Sequence, residues 1–435
     1  MKEEKMDLKF QGFFKEKGYT DLTAIQEAVY HPLKERENVL GLAPTGSGKT
    51  LAYVIPLLEG LLQGQGIQMM VVAPSQELAI QIAAVVTEWA SLKKLKTVPL
   101  IGGANVKRQL EKLKKKPEII VGTPGRMLEL ADAKKLKLHK LRTAVFDEAD
   151  DLLTEETLTA CRALLNHAPS RQVQLSFFSA TNAAVFSELS QLFAAQVKTY
   201  DVRAVDKTQG KVTHYLLETP TRKRIETLRR LSHLKGFRAL VFFKQVAELE
   251  EALEKLRYQK VAVAALEGQN KQQERKKALI DLRNSRISLL LTTDVAARGL
   301  DIEQLPAVVN YDLPANITVY IHRVGRTGRM GAQGAVINLG NEHALRNFRQ
   351  LLKAGGYEAY KGEIFSGKLF KKEDLEESEK LSGENKKLQK HSPKRLPHRQ
   401  ISSLDNAPVE KKRKGHKKRR RDQLNKGKRH GSRSK

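Results

Sequence analysis

Strand-length apolar runs that lack polar alternation set the architecture of this chain. "VLGL" (39–42), "QMMVVA" (68–73), "EIIVG" (118–122), "TAVFD" (143–147) and "VQLSFFS" (173–179) are separated by longer stretches with helical periodicity, such as "KTLAYVIPLLEGLL". A strand buried on both faces needs no polar alternation, so the pattern predicts a parallel sheet covered by helices on each side. The rhythm breaks at "VRAVDKTQGK" (202–211), which reads as a linker, and then restarts with "THYLLE", "ALVFF" (239–243), "VAVAAL" (261–266), "ISLLLTT" (287–293) and "AVVNYD" (307–312). The expected fold is therefore α/β, with two tandem units of similar size: 1–201, then the linker 202–211, then 212–360.

From about residue 361 the apolar rhythm fades. Residues 361–435 hold 25 Lys/Arg and 10 Asp/Glu, so they supply +15 of a net charge of +29. Such a density of like charge, with few apolar side chains to offset ordering entropy, predicts a largely disordered basic tail. The overall charge favours a polyanionic partner. Cys161 is the single cysteine, so no internal disulfide is possible and a reducing compartment is expected. The start, "MKEEKMDLKF", lacks the apolar core of a signal peptide, and no run is long enough to cross a bilayer. A soluble, intracellular protein with no membrane partner is expected.

"APTGSGKT" (43–50) follows the first strand and opens a helix. It fits the phosphate-binding pattern G-x-x-x-x-G-K-[ST] with Ala43 in the first glycine place. Of the loop residues Ala43, Pro44, Thr45, Gly46, Ser47 and Gly48, all but Pro44 carry a backbone N–H donor. They would wrap phosphates at a helix N-terminus, whose dipole favours anions. Lys49 would sit between β- and γ-phosphates, and the Thr50 hydroxyl would coordinate Mg²⁺. The bland alternative is a Gly-Ser loop capping a helix; the strand before it, the helix after it and the Lys-Thr pair all argue against that. "TAVFDEAD" supplies the carboxylates such a loop requires. Asp147, at a strand end, is placed to hold Mg²⁺ through water, and Glu148 to orient and activate an attacking water. Alone, these acids would read as an ordinary helix start.

With D-E-A-D spelled at 147–150, the chain resembles a DEAD-box ATP-dependent RNA helicase of superfamily two, over about residues 8 to 340. The resemblance implies two RecA-like domains and an ATPase. In "GYTDLTAIQ" (18–26), Gln26 is implied to read adenine, with Tyr19 nearby and Phe10 as the upstream aromatic; Leu22 stands where the family usually has proline. "APSQELAIQ" (73–81), containing Pro74, resembles P-T-R-E-L-A-x-Q, with Ser75 and Gln76 replacing Thr and Arg and so weakening one charge contribution. Gly102 and Gly103 in "IGG", and Thr123, Pro124 and Arg126 in "TPGR", match RNA-backbone motifs. "SAT" (Ser179, Ala180, Thr181) is implied to bond the Asp150 segment and couple hydrolysis to strand separation.

In the second unit, Gln272 and Arg275 match the family's Q-x-x-R and Thr293 its RNA-phosphate contact; Asp301 is implied to meet the ATP ribose. "YIHRVGRTGR" (320–329) places Arg326 and Arg329 as arginine fingers, with His322 and Arg323 bridging to the 147–150 segment across the cleft. ATP and Mg²⁺ are then the expected ligands and RNA the partner, held without sequence preference. Expected consequences are local, non-processive unwinding or ribonucleoprotein remodelling by a monomer, with ribosomal or mRNA substrates. Many bacterial helicases of this class carry comparable basic tails. With little chain before residue 18, the resemblance favours a bacterial cytoplasmic enzyme, the alternative for "KKRK…KKRRR" being nuclear or nucleolar import. Two rivals stand beside this expectation: an RNA clamp or annealing chaperone without turnover, and a DNA helicase on the same core.

Overall fold

The computed structural model describes residues 6–169, 173–208, 210–266, 272–297, 305–328 and 331–374, with the backbone alone at Gln272, Gln273 and Lys276. Among these, the first lobe carries strands β1 (Val39–Leu42), β2 (Met69–Val72), β3 (Thr97–Leu100), β4 (Ile119–Gly122), β5 (Thr143–Asp147), β6 (Gln174–Ser179) and β7 (Lys198–Asp201). They pair in the order β3-β4-β2-β5-β6-β1-β7, every pairing parallel. Successive residues of one strand enter opposite cores. Met69, Val71, Ile119, Val121 and Val145 face one apolar cluster, while Met70, Val72, Ile120, Ala144 and Phe146 face the other. Helices cover both faces, which is why these strands read as unbroken apolar runs.

The second lobe repeats the plan with β8 (Val212–Glu218), β9 (Ala239–Phe243), β10 (Val263–Leu266), β11 (Leu289–Thr293), β12 (Ala307–Asn310), β13 (Gly334–Gly340), β14 (Ala359–Phe365) and β15 (Lys368–Lys371). The order is β10-β11-β9-β12-β13-β8-β14-β15. All pairs are parallel except the closing hairpin β14–β15. The two parallel-sheet units expected from the apolar runs are thus present. Among the described residues, no helix is long and apolar enough to cross a membrane.

Some elements escaped the sequence pattern. Strand β3 contains Thr97 and Pro99, and β7 is an edge strand whose Lys198, Thr199 and Asp201 are exposed. The boundary expected at residue 360 falls inside β14. Ile364 and Leu369 of the hairpin pack against the second lobe's core while Glu363, Phe365 and Lys368 stay exposed, so the alternation of a half-buried hairpin looks like a charged tail. Residues 375–435, the bulk of the expected disordered tail, lie outside the described residues. In the segment 202–211, Val202 N donates to Leu42 O at 2.9 Å and Gly210 N to Gly328 O at 2.9 Å, which ties one end to each lobe.

Candidate nucleotide and nucleic-acid site

The loop after β1 is built around two left-handed glycines, Gly46 and Gly48, each with φ of 84°. At Gly48 a side chain is excluded for a second reason: its Cβ would lie 2.5 Å from Gln26 Nε2. The helix Lys49–Glu59 starts there, with its unpaired N–H groups directed into the loop. Lys49 Nζ donates to Ala43 O at 2.8 Å and Pro44 O at 3.0 Å, folded back over the loop it would share with phosphate. Thr45 Oγ1 and Ser47 Oγ are buried and have no hydrogen-bond partner. Leaving such groups unsatisfied is costly, which fits a loop completed by a polar ligand.

Gln26 lies against this loop, yet its amide is already engaged. Its Nε2 donates to Gly48 O at 3.2 Å, and its Oε1 accepts from Thr23 N at 3.1 Å as half of a capping box. Tyr19 is 37% exposed and packs on Phe14. Phe10, expected beside the nucleotide, is 1% exposed and stacks on Trp89 with centroids 6.3 Å apart. It belongs to the core: Phe10, Phe13 and Phe14 form the apolar stripe of the helix Leu8–Glu16, all three rings meeting Trp89.

Asp147 ends β5 next to the loop. Its Oδ2 accepts from Tyr53 Oη at 2.9 Å and its Oδ1 from Glu148 N at 3.0 Å. Burial, then the neighbouring Glu148, pushes the Asp147 carboxyl up to about 6, with Lys49 pulling it back. Tyr53 was not foreseen. Its signal is the spacing of four from Lys49, which stacks both on one helix face. Asp147 and Thr50 offer hard oxygen donors, and a carboxylate raised by burial and a like charge is the kind that a divalent cation relieves. The residues therefore fit Mg²⁺.

Glu148 sits in the left-handed region at φ 50° and ψ 56°. Asp150, three residues beyond Asp147, receives Thr181 Oγ1 at 2.5 Å and His322 Nε2 at 3.0 Å. Ser179 turns back on its own motif, donating to Thr181 O at 2.8 Å and accepting from Thr181 N at 3.0 Å, with Ala180 buried between. The His322 contact crosses from the second lobe. Arg323 does not: its Nε and Nη2 grip Asp294 at 2.7 Å each, and its Nη1 donates to Asn310 Oδ1 and Asp312 O at 2.8 and 2.7 Å. Adjacent residues point about 100° apart on a helix. If His322 faces the cleft, Arg323 must face its own lobe. Asp294, its partner, was invisible in sequence.

Burial lowers the His322 pKa, but the hydrogen bond and charge of Asp150, with Glu148 and Asp151 behind it, outweigh this and leave it above its ordinary 6.5. Burial likewise raises Asp150, and His322 and Thr181 outweigh it, so that carboxyl lies below its ordinary 3.8. The cross-lobe bond is therefore fully present below pH 6.5 on the histidine side and is lost as pH rises through the raised value. On the aspartate side it is present above 3.8 and lost only as pH falls through the lowered value. Turnover measured against pH is expected to fall on an alkaline limb that His322→Gln lacks.

Gly325 meets the nucleotide loop directly. A Cβ there would lie 1.9 Å from Thr45 Oγ1, so Gly325→Ala is expected to hold the lobes apart and lower ATP turnover at least about tenfold, with little change in nucleotide affinity. A turnover and binding series on this variant checks it. Arg326 is buried on the turn that follows, while Arg329 and Asp301 lie outside the described residues.

On the expected RNA side, Pro74 precedes the helix Gln76–Ala90, which Ser75 caps. Gln76 lies against the turn after β3, its Nε2 3.1 Å from where a Gly102 Cβ would stand and its Oε1 3.6 Å from the same point at Gly103. The uncharged amide thus stands close to the turn at the place where the family resemblance put a lost charge. Thr123 and Pro124 open the helix Pro124–Asp132. Arg126 Nε pairs with Glu129 at 3.1 Å, but its buried Nη1 has no partner. Thr293 ends β11. Gln272 begins a helix, with only its backbone described. Arg275, expected to face RNA, is 7% exposed; it donates to Ala296 O at 2.7 Å and pairs across the lobes with Glu77 at 3.2 Å. It is a second latch between lobes.

Residues 23–189 match the DEAD/DEAH box helicase model, and residues 223–331 the helicase conserved C-terminal domain. The chain is 39% identical over 353 residues to the probable ATP-dependent RNA helicase YfmL of Bacillus subtilis, covering 81% of this chain and 93% of the relative. It is 38% identical to the DEAD-box ATP-dependent RNA helicase CshC of Bacillus cereus, covering 80% and 90%. Among solved structures it resembles S. cerevisiae Dbp5 bound to RNA and ADP BeF3, with a TM-score of 0.73 and 27% identity over 87% of this chain and 97% of that one. Fold and site together define a two-lobed nucleotide-dependent enzyme. The chain belongs to the DEAD-box family of ATP-dependent RNA helicases.

Proposed function

We propose that this chain is an RNA-stimulated ATPase that opens short stretches of structured RNA. The observation that carries the reading is a composite pocket: His322 and Gly325 of the second lobe stand on Asp150 and Thr45 of the first. Phosphates occupy the 43–50 loop, and Lys49 turns from the Ala43 and Pro44 carbonyls onto β- and γ-oxygens. Thr50 and Asp147 would hold Mg²⁺, which would supply charge neutralisation for the phosphates. Glu148 orients the attacking water and takes its proton. That oxygen bonds to the γ-phosphorus while the β–γ bridging oxygen departs with ADP. Arg326, with Arg329, offsets the charge that develops.

RNA lies on the other rim, its phosphates near the Gly102–Gly103 turn, Arg126 Nη1 and Thr293. Closure of the lobes bends the strand and excludes its complement, and loss of the γ-phosphate reopens them. We assign the enzyme to the cytoplasm of a bacterium, working as a monomer on ribosomal or messenger RNA. Residues beyond 374 act as an electrostatic tether. ATP turnover measured with and without single-stranded RNA tests the core reading, with the same sequence as DNA alongside. Stimulation by RNA alone is expected, and equal stimulation by DNA would assign a DNA helicase. A chain ending at Asp374, which keeps β14 and β15, is expected to retain its basal rate and need about tenfold more RNA for half-stimulation at low salt.

A further inference from the structure

The N-terminal ends of β2, β4 and β5, at the opposite end of the sheet from the nucleotide loop, border a groove of about 930 Å³. Its walls come from 64–67, the helix Val106–Lys114 from Lys107 onward with 116–117, and the 135–140 segment. Lys107, Lys114, Lys116, Lys135, Lys137 and Lys140 line it and are all exposed, against one acid, Glu111. Among the described residues, none of the six is paired with a carboxylate. Residues 93–142 as a whole carry 15 Lys/Arg and 4 Asp/Glu, so this short stretch holds a charge of +11. Like charges gathered without counter-charges repel one another, and a polyanion relieves that repulsion.

We propose that this groove holds the phosphodiester backbone of double-stranded RNA flanking the strand gripped by the core. Three observations favour a duplex. No Phe, Tyr or Trp lines the groove, so it lacks the stacking platform on which unpaired bases are usually held. Lysine ammonium groups act as point charges suited to a backbone and indifferent to sequence. The helix that carries Lys107 and Lys114 begins directly after the Gly102–Gly103 turn assigned above to RNA phosphates. Its nine residues span about 13 Å, so a duplex leaving that turn has a short, continuously basic path to the groove. The site deepens the proposed RNA-unwinding function: it would hold the substrate's paired arm while the core bends its single strand.

The test compares two RNAs of equal length, a hairpin with a single-stranded overhang and an unstructured strand. Binding to each is measured over a range of salt for the full chain and for Lys114→Gln/Lys116→Gln/Lys137→Gln. The substitutions leave the basic tail unaltered, so the loss relative to the full chain, compared between the two RNAs, isolates the groove. The hairpin is expected to lose about tenfold in affinity, and its slope of log K against log salt to flatten by about 2 to 3. Binding of the unstructured strand and its stimulation of ATP turnover are expected to stay unchanged. The Lys→Arg triple at the same positions keeps the charge and is expected to restore hairpin binding. Equal losses for both RNAs would overturn the duplex assignment in favour of a general polyanion surface. No loss for either would overturn RNA as the occupant and leave an acidic polypeptide. If RNA fails to stimulate turnover even in the unaltered chain, the unwinding function falls, and the binding comparison still judges the groove.

Discussion

Glu148→Gln is expected to lower ATP turnover about 10²- to 10⁴-fold while nucleotide and RNA still bind. The substitution keeps shape and removes only the basic oxygen. Glu148 adopts a left-handed backbone conformation, a strain of about 1 kcal/mol or more for a residue with a Cβ. That conformation turns its side chain off the line of β5, beside Asp147. An amide in the same place keeps the hydrogen bond from its own N–H to Asp147 Oδ1, so the strand end should remain intact. RNA-stimulated turnover surviving undiminished would remove Glu148 from the role of water-activating residue.

The second large effect is expected at Arg326. Replacing it with Ala should cost about 10³- to 10⁵-fold in turnover, with a much smaller change in ATP affinity, because in the proposed mechanism its guanidinium matters most as charge develops on the γ-phosphoryl group in transfer. Arg326→Lys is not expected to restore the rate, since an ammonium lacks the planar fork. A residual rate within tenfold of the unaltered enzyme would mean that the second lobe supplies no essential charge through this residue. The division of labour between lobes would then need a different basis.

What the sequence revealed of the site tracks how local its geometry is. The 43–50 loop and the 147–150 segment are continuous stretches bounded by strands, and backbone conformation alone assembles them. The family pattern also placed His322 against the 147–150 segment, where it meets Asp150 beside Thr181. Side chains that find remote partners lie elsewhere than the pattern implies. Phe10 meets Trp89, 79 positions away, and so is core. Arg275 is taken up by Glu77 and the Ala296 carbonyl, and Arg323 by Asp294 and Asn310. A one-dimensional pattern assigns such arginines to a motif, whereas burial and an available carboxylate decide what they grip. The fold followed the same rule. Strands buried on both faces announced themselves, and half-exposed strands such as β7, β14 and β15 did not, because part of each is in water.

Strand β14 runs parallel to β8, and β8 is hydrogen-bonded to β13, whose other neighbour β12 leads into the helix that presents His322. The polypeptide beyond Asp374 is therefore rooted in the same stiff plate as the cross-cleft histidine and the buried Arg326. On the proposed tether, an RNA held by that extension would travel with the plate as it closes on the nucleotide loop, so one displacement would serve both catalysis and transport.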